Sequence, residues 1–190
     1  MALDHSCQVQ RHSHAERGLD LYETPSLAVE ALLRVEKLPQ HIWEPACGRG
    51  AIVDVLRSAG HDVLATDIAD YGLKTPGLCR DFLLEPDAPE DIEAIVTNPP
   101  FQHAEAFVAH ALQCAPLVVM LLRLAFLESE RRTPILEDAG LARVHVFRKR
   151  LPMMHRDGWE GHKANSAVPY AWFVWDCVHR GPTTIDRISW

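Results

Sequence analysis

The stretch His41-Ile42-Trp43-Glu44-Pro45-Ala46-Cys47-Gly48-Arg49-Gly50, continued by Ala51 to Ala59, decides the fold. His41 to Glu44 reads as a short buried strand, and Pro45 cannot donate to a sheet ladder. Gly48 and Gly50 let the backbone turn sharply and leave room for a ligand to approach. Ala51 to Ala59 then reads as a helix with Gly60 as its C-cap. A dinucleotide site would carry Gly-x-Gly-x-x-Gly with a pyrophosphate at the helix N-terminus. Here the third glycine position is Val53, and an acid, Glu44, opens the turn. A carboxylate there repels phosphate and suits a cation such as an amino-acid ammonium.

Outward from this unit the pattern repeats. Thr24-Pro25 reads as a helix start, a hydroxyl cap before a first-turn proline, with the helix running to about Lys37. Asp62 to Asp67 reads as a strand, and a short strand is expected near Asp81-Phe82-Leu83. Ile92 to Thr97 and Leu117 to Leu122 read as strands flanking a helix from Gln102 to Cys114. Glu130 to Ala139 reads as a helix ended by Gly140. Leu141 to Phe147 and Tyr170 to Val178 complete the set as strands joined only by a long loop, which predicts an antiparallel pair. Alternating strands and helices imply an α/β fold, a mainly parallel sheet with helices on both faces. Ligands bind such sheets outside the carboxyl ends of the strands. Residues 1–20 are expected to form a flexible arm, and residues 21–190 a single domain without a large separate recognition region.

Composition narrows the function. The 190 residues carry 19 Lys+Arg against 26 Asp+Glu, which argues against an indiscriminate nucleic-acid binder. The acidic excess lies in the first hundred residues; from Arg131 onward basic residues outnumber acidic ones, so one phosphate-binding face is permitted. Five cysteines with no Cys-x-x-Cys pair argue against a disulfide framework or zinc ribbon, and no metal is expected. No apolar run approaches membrane-spanning length, no signal peptide is legible, and the expected location is the cytoplasm.

Three further segments carry chemistry, two of them, at Asp67 and Asn98, at strand ends. Asp67 closes its strand where a carboxylate can accept both hydroxyls of a ribose, and Ile68 offers an apolar face to an adenine. Asp81 is placed to accept from an adenine amino group, with Phe82 packing alongside. Asn98-Pro99-Pro100-Phe101 is the most informative segment: two prolines directly after a buried strand cannot extend the sheet and fix a stiff backbone. An amide oxygen and a backbone carbonyl held there can accept both hydrogens of a planar NH2 group. Phe101 supplies a face on which a flat group can stack.

Glu44 to Gly50, Asp67, Asp81-Phe82-Leu83-Leu84 and Asn98 to Phe101 together resemble the motifs of S-adenosylmethionine-dependent amino-methyltransferases. The resemblance is to the adenine-N6 DNA methyltransferases whose cofactor motif precedes the catalytic tetrapeptide, including those of phages and prophages. Tyr22-Glu23-Thr24-Pro25 resembles the extra N-terminal cofactor motif of that group. The resemblance covers about residues 20–130. It implies a Rossmann-like class I methyltransferase fold, a seven-stranded sheet with the last strand antiparallel. It implies S-adenosylmethionine as cofactor, with Glu44, Ala46, Cys47, Gly48 and Gly50 at its methionine part. Tyr22, Thr24 and Pro25 would flank that end, Asp67 would bind the ribose, and Ile68, Asp81 and Phe82 the adenine. Asn98 and Pro99 would hold the target amine beside the cofactor, Pro100 would stiffen the turn, and Phe101 would stack on the base.

The implied substrate is an adenine in DNA, flipped out or unpaired, because a stacked base cannot reach such a crevice. Arg148, Lys149, Arg150, His155, Arg156, Trp159 and Lys163 are the substrate-contact candidates, a phosphate grip with a wedge beside the base. RNA adenine, cytosine N4 and protein glutamine remain alternative acceptors. An inactive nucleic-acid-binding partner subunit is the non-enzymatic alternative; damage in the glycine turn or the tetrapeptide would mark it, and both are intact.

Overall fold

The computed structural model describes residues 22–72, 78–155 and 168–190. The expected arm at residues 1–20 and the contact candidates Arg156, Trp159 and Lys163 lie outside the described residues. The strands are β1 (Tyr22–Glu23), β2 (His41–Glu44), β3 (Asp62–Asp67), β4 (Leu78–Cys79), β5 (Ala94–Thr97) and β6 (Leu117–Arg123), then β7 (Leu141–Phe147), β8 (Met154–His155), β9 (Tyr170–Asp176) and β10 (Thr184–Ile188). The helices are α1 (Ser26–Leu33), α2 (Ala51–Ser58) and α3 (Ala104–Cys114).

The main sheet has the order β10-β7-β9-β6-β5-β2-β3-β4. β9 runs antiparallel to both β6 and β7, and all other pairs are parallel. The seven-stranded mixed sheet is therefore present, with the expected antiparallel strand inserted between β6 and β7. An eighth strand, β10, extends the edge beside β7. Sequence pattern misses it because only Ile188 of Thr184-Ile185-Asp186-Arg187-Ile188 is buried, and an edge strand needs no apolar alternation. Chain order reverses between β2 and β5, which opens a crevice at their carboxyl ends.

Every residue of β5 is buried, and β9 is buried along all but its last residue. Helices α1 and α2 cover one sheet face through Ala28, Val29, Leu32, Ile52 and Leu56. Helix α3 and the turns after β6 cover the other through Phe107, Val108, Phe126 and Ile135. Three buried tryptophans tie the layers together, because a buried indole N–H needs an acceptor. Trp43 Nε1 donates to Thr66 Oγ1 across β2 and β3 at 2.8 Å, Trp172 Nε1 to the Ala28 carbonyl of α1 at 2.9 Å, and Trp175 Nε1 to the Ile135 carbonyl at 2.6 Å.

Three local readings are corrected. Thr24 does not cap α1: Pro25 is the N-cap, no side chain caps the helix, and α1 ends at Leu33 rather than Lys37. The strand expected at Asp81-Phe82-Leu83 is a 3-10 turn, Phe82–Leu84, because the Asp81 carboxylate accepts the Leu83 N–H at 3.1 Å and closes the chain locally. The Glu130–Ala139 helix is a 3-10 turn, Glu130–Arg132, followed by a π turn, Pro134–Asp138. Pro134 has no N–H to continue the first turn. Among the described residues no helix is long and apolar enough to cross a membrane.

Candidate active site

The floor of the crevice is the turn from β2 to α2. Gly48 and Gly50 have φ of 51° and 87°, left-handed values that glycine adopts without a Cβ penalty. The Gly50 N–H donates to the Cys47 carbonyl at 2.8 Å, and the Cys47 N–H to the Thr66 carbonyl at 3.0 Å. The Gly48 N–H donates to Asp67 Oδ2 at 2.8 Å, and the Ala69 N–H to Asp67 Oδ1 at 3.2 Å. The ends of β2 and β3 are thus laced together, with Asp67 aimed by two backbone donors. Burial still raises the Asp67 pKa, and those N–H groups pull against it.

Glu44 lies beneath this turn, 1% exposed. It accepts a hydrogen bond from the Val53 backbone N–H in the first turn of α2, while its Oε2 is buried without a partner. Burial, reinforced by the Asp67 charge, pushes its pKa well above the ordinary value, and the Val53 N–H and Arg57 charge only partly offset that. Cys47 is beside Glu44, and burial with the Glu44 and Asp67 charges pushes its thiol up to about 12. It is therefore no thiolate nucleophile at neutral pH.

The opposite wall is the chain leaving β5. The Pro100 carbonyl accepts the His103 N–H at 2.9 Å and turns the chain into α3. Asn98 Nδ2 donates to the Tyr22 carbonyl at 3.1 Å. This bond fixes the amide, since the reverse orientation would set oxygen against oxygen. Asn98 Oδ1 is left buried with no partner. Such an acceptor costs about 1–3 kcal/mol when unpaired, so a donor arriving there would be bound strongly.

Between these walls lies a pocket of about 410 Å³, within the range of small-molecule sites. Ten of the expected residues line it: Tyr22, Ala46, Asp67, Ile68, Asp81, Phe82, Asn98, Pro99, Pro100 and Phe101. Pro45, Tyr71, Leu83, Gln102, His103 and Phe107 also line it and were missed. Gln102 and His103 directly follow the tetrapeptide and Phe107 is one helical turn on, so adjacency was the available signal. Tyr71 follows Asp67 by four residues, and nothing local marks it.

The remaining expected residues lie elsewhere. Glu44, Cys47, Gly48 and Gly50 form the turn behind the pocket; Thr24 is buried and Pro25 caps α1, and neither lines it. Arg148, Lys149 and Arg150 are exposed just past the carboxyl end of β7. They share the pocket's edge of the sheet but stand three strands from β5, about 14 Å at the usual strand spacing. His155 is paired through its backbone with Tyr22, in the small sheet β1–β8 beside the pocket.

At the pocket mouth the Phe101 ring meets Tyr22 and Tyr170, with centroids 5.5 and 5.6 Å away. The Arg123 guanidinium lies over the Phe101 ring, 4.4 Å from its centroid. The pair Arg131-Arg132 is not a free basic face. Arg131 Nε is 3.0 Å from Glu105 Oε2, and Arg132 donates to the Ala125, Phe126 and Glu128 carbonyls.

No family model matches the sequence, and no curated protein matches it either. Solved structures do resemble it. A candidate RNA methyltransferase from Pyrococcus horikoshii superposes with a TM-score of 0.62 at 14% identity, covering 83% of this chain and 87% of that one. A candidate class I S-adenosylmethionine-dependent methyltransferase from Listeria monocytogenes gives 0.56 at 14% identity, covering 84% and 62%. A modification subunit of a candidate type I restriction enzyme from Vibrio vulnificus gives 0.59 at 13% identity, covering 86% and 45%. The chain thus spans about three fifths and under half of the last two. With this strand order, its antiparallel β9 and these likenesses, the fold is that of the class I S-adenosylmethionine-dependent methyltransferases.

Proposed function

We propose that the chain is an S-adenosylmethionine-dependent methyltransferase acting on an exocyclic amino nitrogen, adenine N6 in DNA. The observation that carries this reading is Asn98: its amide nitrogen is tied to the Tyr22 carbonyl, and its oxygen is a buried acceptor without a partner at the same pocket as Asp67.

The residues present fit the cofactor. Glu44 Oε2 is an orphaned carboxylate oxygen suited to an ammonium, and Gly48 and Gly50 carry no side chain to stand in a ligand's way. Asp67 is held by two N–H donors at the end of β3 and retains lone pairs for ribose hydroxyls. Ile68, Phe82 and Tyr71 supply apolar and aromatic surface for an adenine. When bound, the cofactor supplies a methyl group on a sulfonium, whose leaving group is already good, so positioning carries most of the catalysis.

Asn98 Oδ1 and the Pro99 carbonyl accept the two amine hydrogens. An exocyclic amine is a poor nucleophile because its lone pair conjugates with the ring. Two fixed acceptors favour a more tetrahedral nitrogen with its lone pair turned out of the ring plane, and they stabilise the positive charge that develops. The Phe101 ring is the stacking surface at the mouth, and the exposed Arg148-Lys149-Arg150 run lies on the same edge of the sheet for backbone phosphates. A base in the form of a free strand, or flipped from a duplex, reaches this depth.

The test is transfer of tritiated methyl from S-adenosylmethionine into matched pools of duplex DNA, single-stranded DNA, structured RNA and protein extract, followed by nucleoside mass spectrometry. N6-methyladenine in DNA is the expected product. Label in RNA or protein alone would keep the role of Asn98 and replace the substrate. Absence of cofactor binding by calorimetry at millimolar concentration would leave only a non-catalytic partner.

A further inference from the structure

We propose that Arg123 is a placeholder for the target base: its guanidinium covers the Phe101 ring in the free protein and moves to a backbone phosphate when a base enters. This rests on the reading of Asn98 as the amine-binding group. Arg123 ends β6, the strand next to β5, and is paired in register with Tyr170. The structure brings its guanidinium to 4.4 Å from the Phe101 centroid, with the Tyr22 and Tyr170 rings packed on the same phenyl group. A guanidinium is flat and cationic, so it is an effective occupant of an aromatic face.

Arg123 is not among the arginines held by carboxylates. Arg131 and Arg132 pair with Glu105, Arg143 with Glu36 and Arg80 with Glu85. Among the described residues no carboxylate pairs with Arg123, although the chain is acidic overall. Its side chain is exposed, so swinging off the ring breaks no ion pair and buries no charge. A base stacking on Phe101 must displace it, and the freed guanidinium then stands one strand from Asn98. A planar fork at that distance suits the phosphate flanking an extruded nucleotide.

The placeholder makes a prediction of opposite sign for two ligands. With the cofactor site filled by S-adenosylhomocysteine, Arg123→Ala should bind a fluorescein-labelled single-stranded DNA 20-mer about 10-fold more weakly, with a salt slope lower by about 1. It should bind free adenosine about 3-fold more tightly, because the competing cation is gone. Arg123→Lys should restore the salt slope. Affinity for S-adenosylhomocysteine itself should not change in either variant. A merely structural guanidinium predicts both nucleic-acid ligands weakened together, and that outcome, or unchanged binding of both, overturns the proposal while leaving Asn98 untouched. Should Arg123→Ala not fold, the Lys variant carries the test, since loss of the flat stack alone should tighten adenosine. A wild-type protein that binds neither the 20-mer nor adenosine overturns both the placeholder and the substrate reading.

Discussion

Two glutamates with shielded side chains on the same side of the sheet have opposite fates. Glu44, at the carboxyl end of β2, keeps one oxygen without a partner and has its pKa driven well up by burial and by Asp67. Glu36, just past α1, lies toward the other end of the sheet with its side chain 7% exposed. Arg143 Nε donates to its Oε1 at 2.6 Å and Arg143 Nη2 to its Oε2 at 3.2 Å, while His145 Nε2 is 2.6 Å from Oε1. Burial alone would raise the Glu36 carboxyl, but the hydrogen bonds and charges of His145 and Arg143 outweigh it, and its pKa is lowered. The Glu36 carboxylate is satisfied from within the fold, and Glu44 is left short of a partner. An unpaired polar atom does not by itself mark a site, since His145 Nδ1, beside Glu36, is also buried without one.

The sharpest way to break that comparison is at Asn98, whose Oδ1 is likewise buried without a partner. Asn98→Ala should lower kcat by on the order of 100-fold or more while leaving the cofactor dissociation constant within a few-fold. Loss of cofactor binding instead, read by calorimetry, would show that Asn98 belongs to the cofactor rather than to the amine.

At the other end, Glu36→Ala removes the carboxylate shared by Arg143 and His145 and leaves Arg143 with Asp176 alone, 3.6 Å away. The expected cost is about 3 kcal/mol, a fall in Tm of roughly 6–12 °C for a chain of this size, with S-adenosylmethionine affinity unchanged. The sign with pH follows from the lowered carboxyl. Its contribution is complete above the ordinary value of 4.5 and is lost as pH falls through the lower folded value. The melting profile of the variant should therefore lack part of the wild type's decline in acid.

Glu44→Gln should do the reverse on both counts. The raised folded pKa means that wild-type stability falls as pH rises from 4.5 through the higher folded value. The Gln variant should melt above wild type near pH 8, with the gap closing toward pH 4. Its affinity for S-adenosylmethionine should fall about 10- to 100-fold, the usual worth of a hydrogen bond to a charged partner. A variant that is less stable at pH 8 and binds normally would make Glu44 a structural residue like Glu36. The smallest effect concerns thiols: iodoacetamide at pH 8 should label the exposed Cys79 and Cys177 and spare Cys47, whose thiol stays protonated. Labelling of Cys47 in the native protein would show that the floor of the crevice is open rather than closed.

Much of the crevice was legible because its chemistry sits at strand ends in contiguous runs. Glu44 to Gly50 and Asn98 to Phe101 each break the sheet by a local rule, with glycine turns in one case and paired prolines in the other. What stayed hidden depended on distant neighbours. The partnership of Glu36 with Arg143 and His145 spans more than a hundred residues. Likewise, Arg123 gains its meaning only because β6 lies beside β5. Tyr71 lines the pocket through the path of a loop, and β10 is held by its backbone pairing with β7.

The amino-acid sequence by itself determined the α/β order, the glycine turn, the stiff Asn-Pro-Pro-Phe exit and the acid at each strand end. These are set by backbone chemistry within a few residues. Tertiary structure alone decided which polar atoms would be left without partners. That depends on the sum of neighbours that packing brings up from other strands, and Glu36 and Glu44 are the same residue until those neighbours arrive.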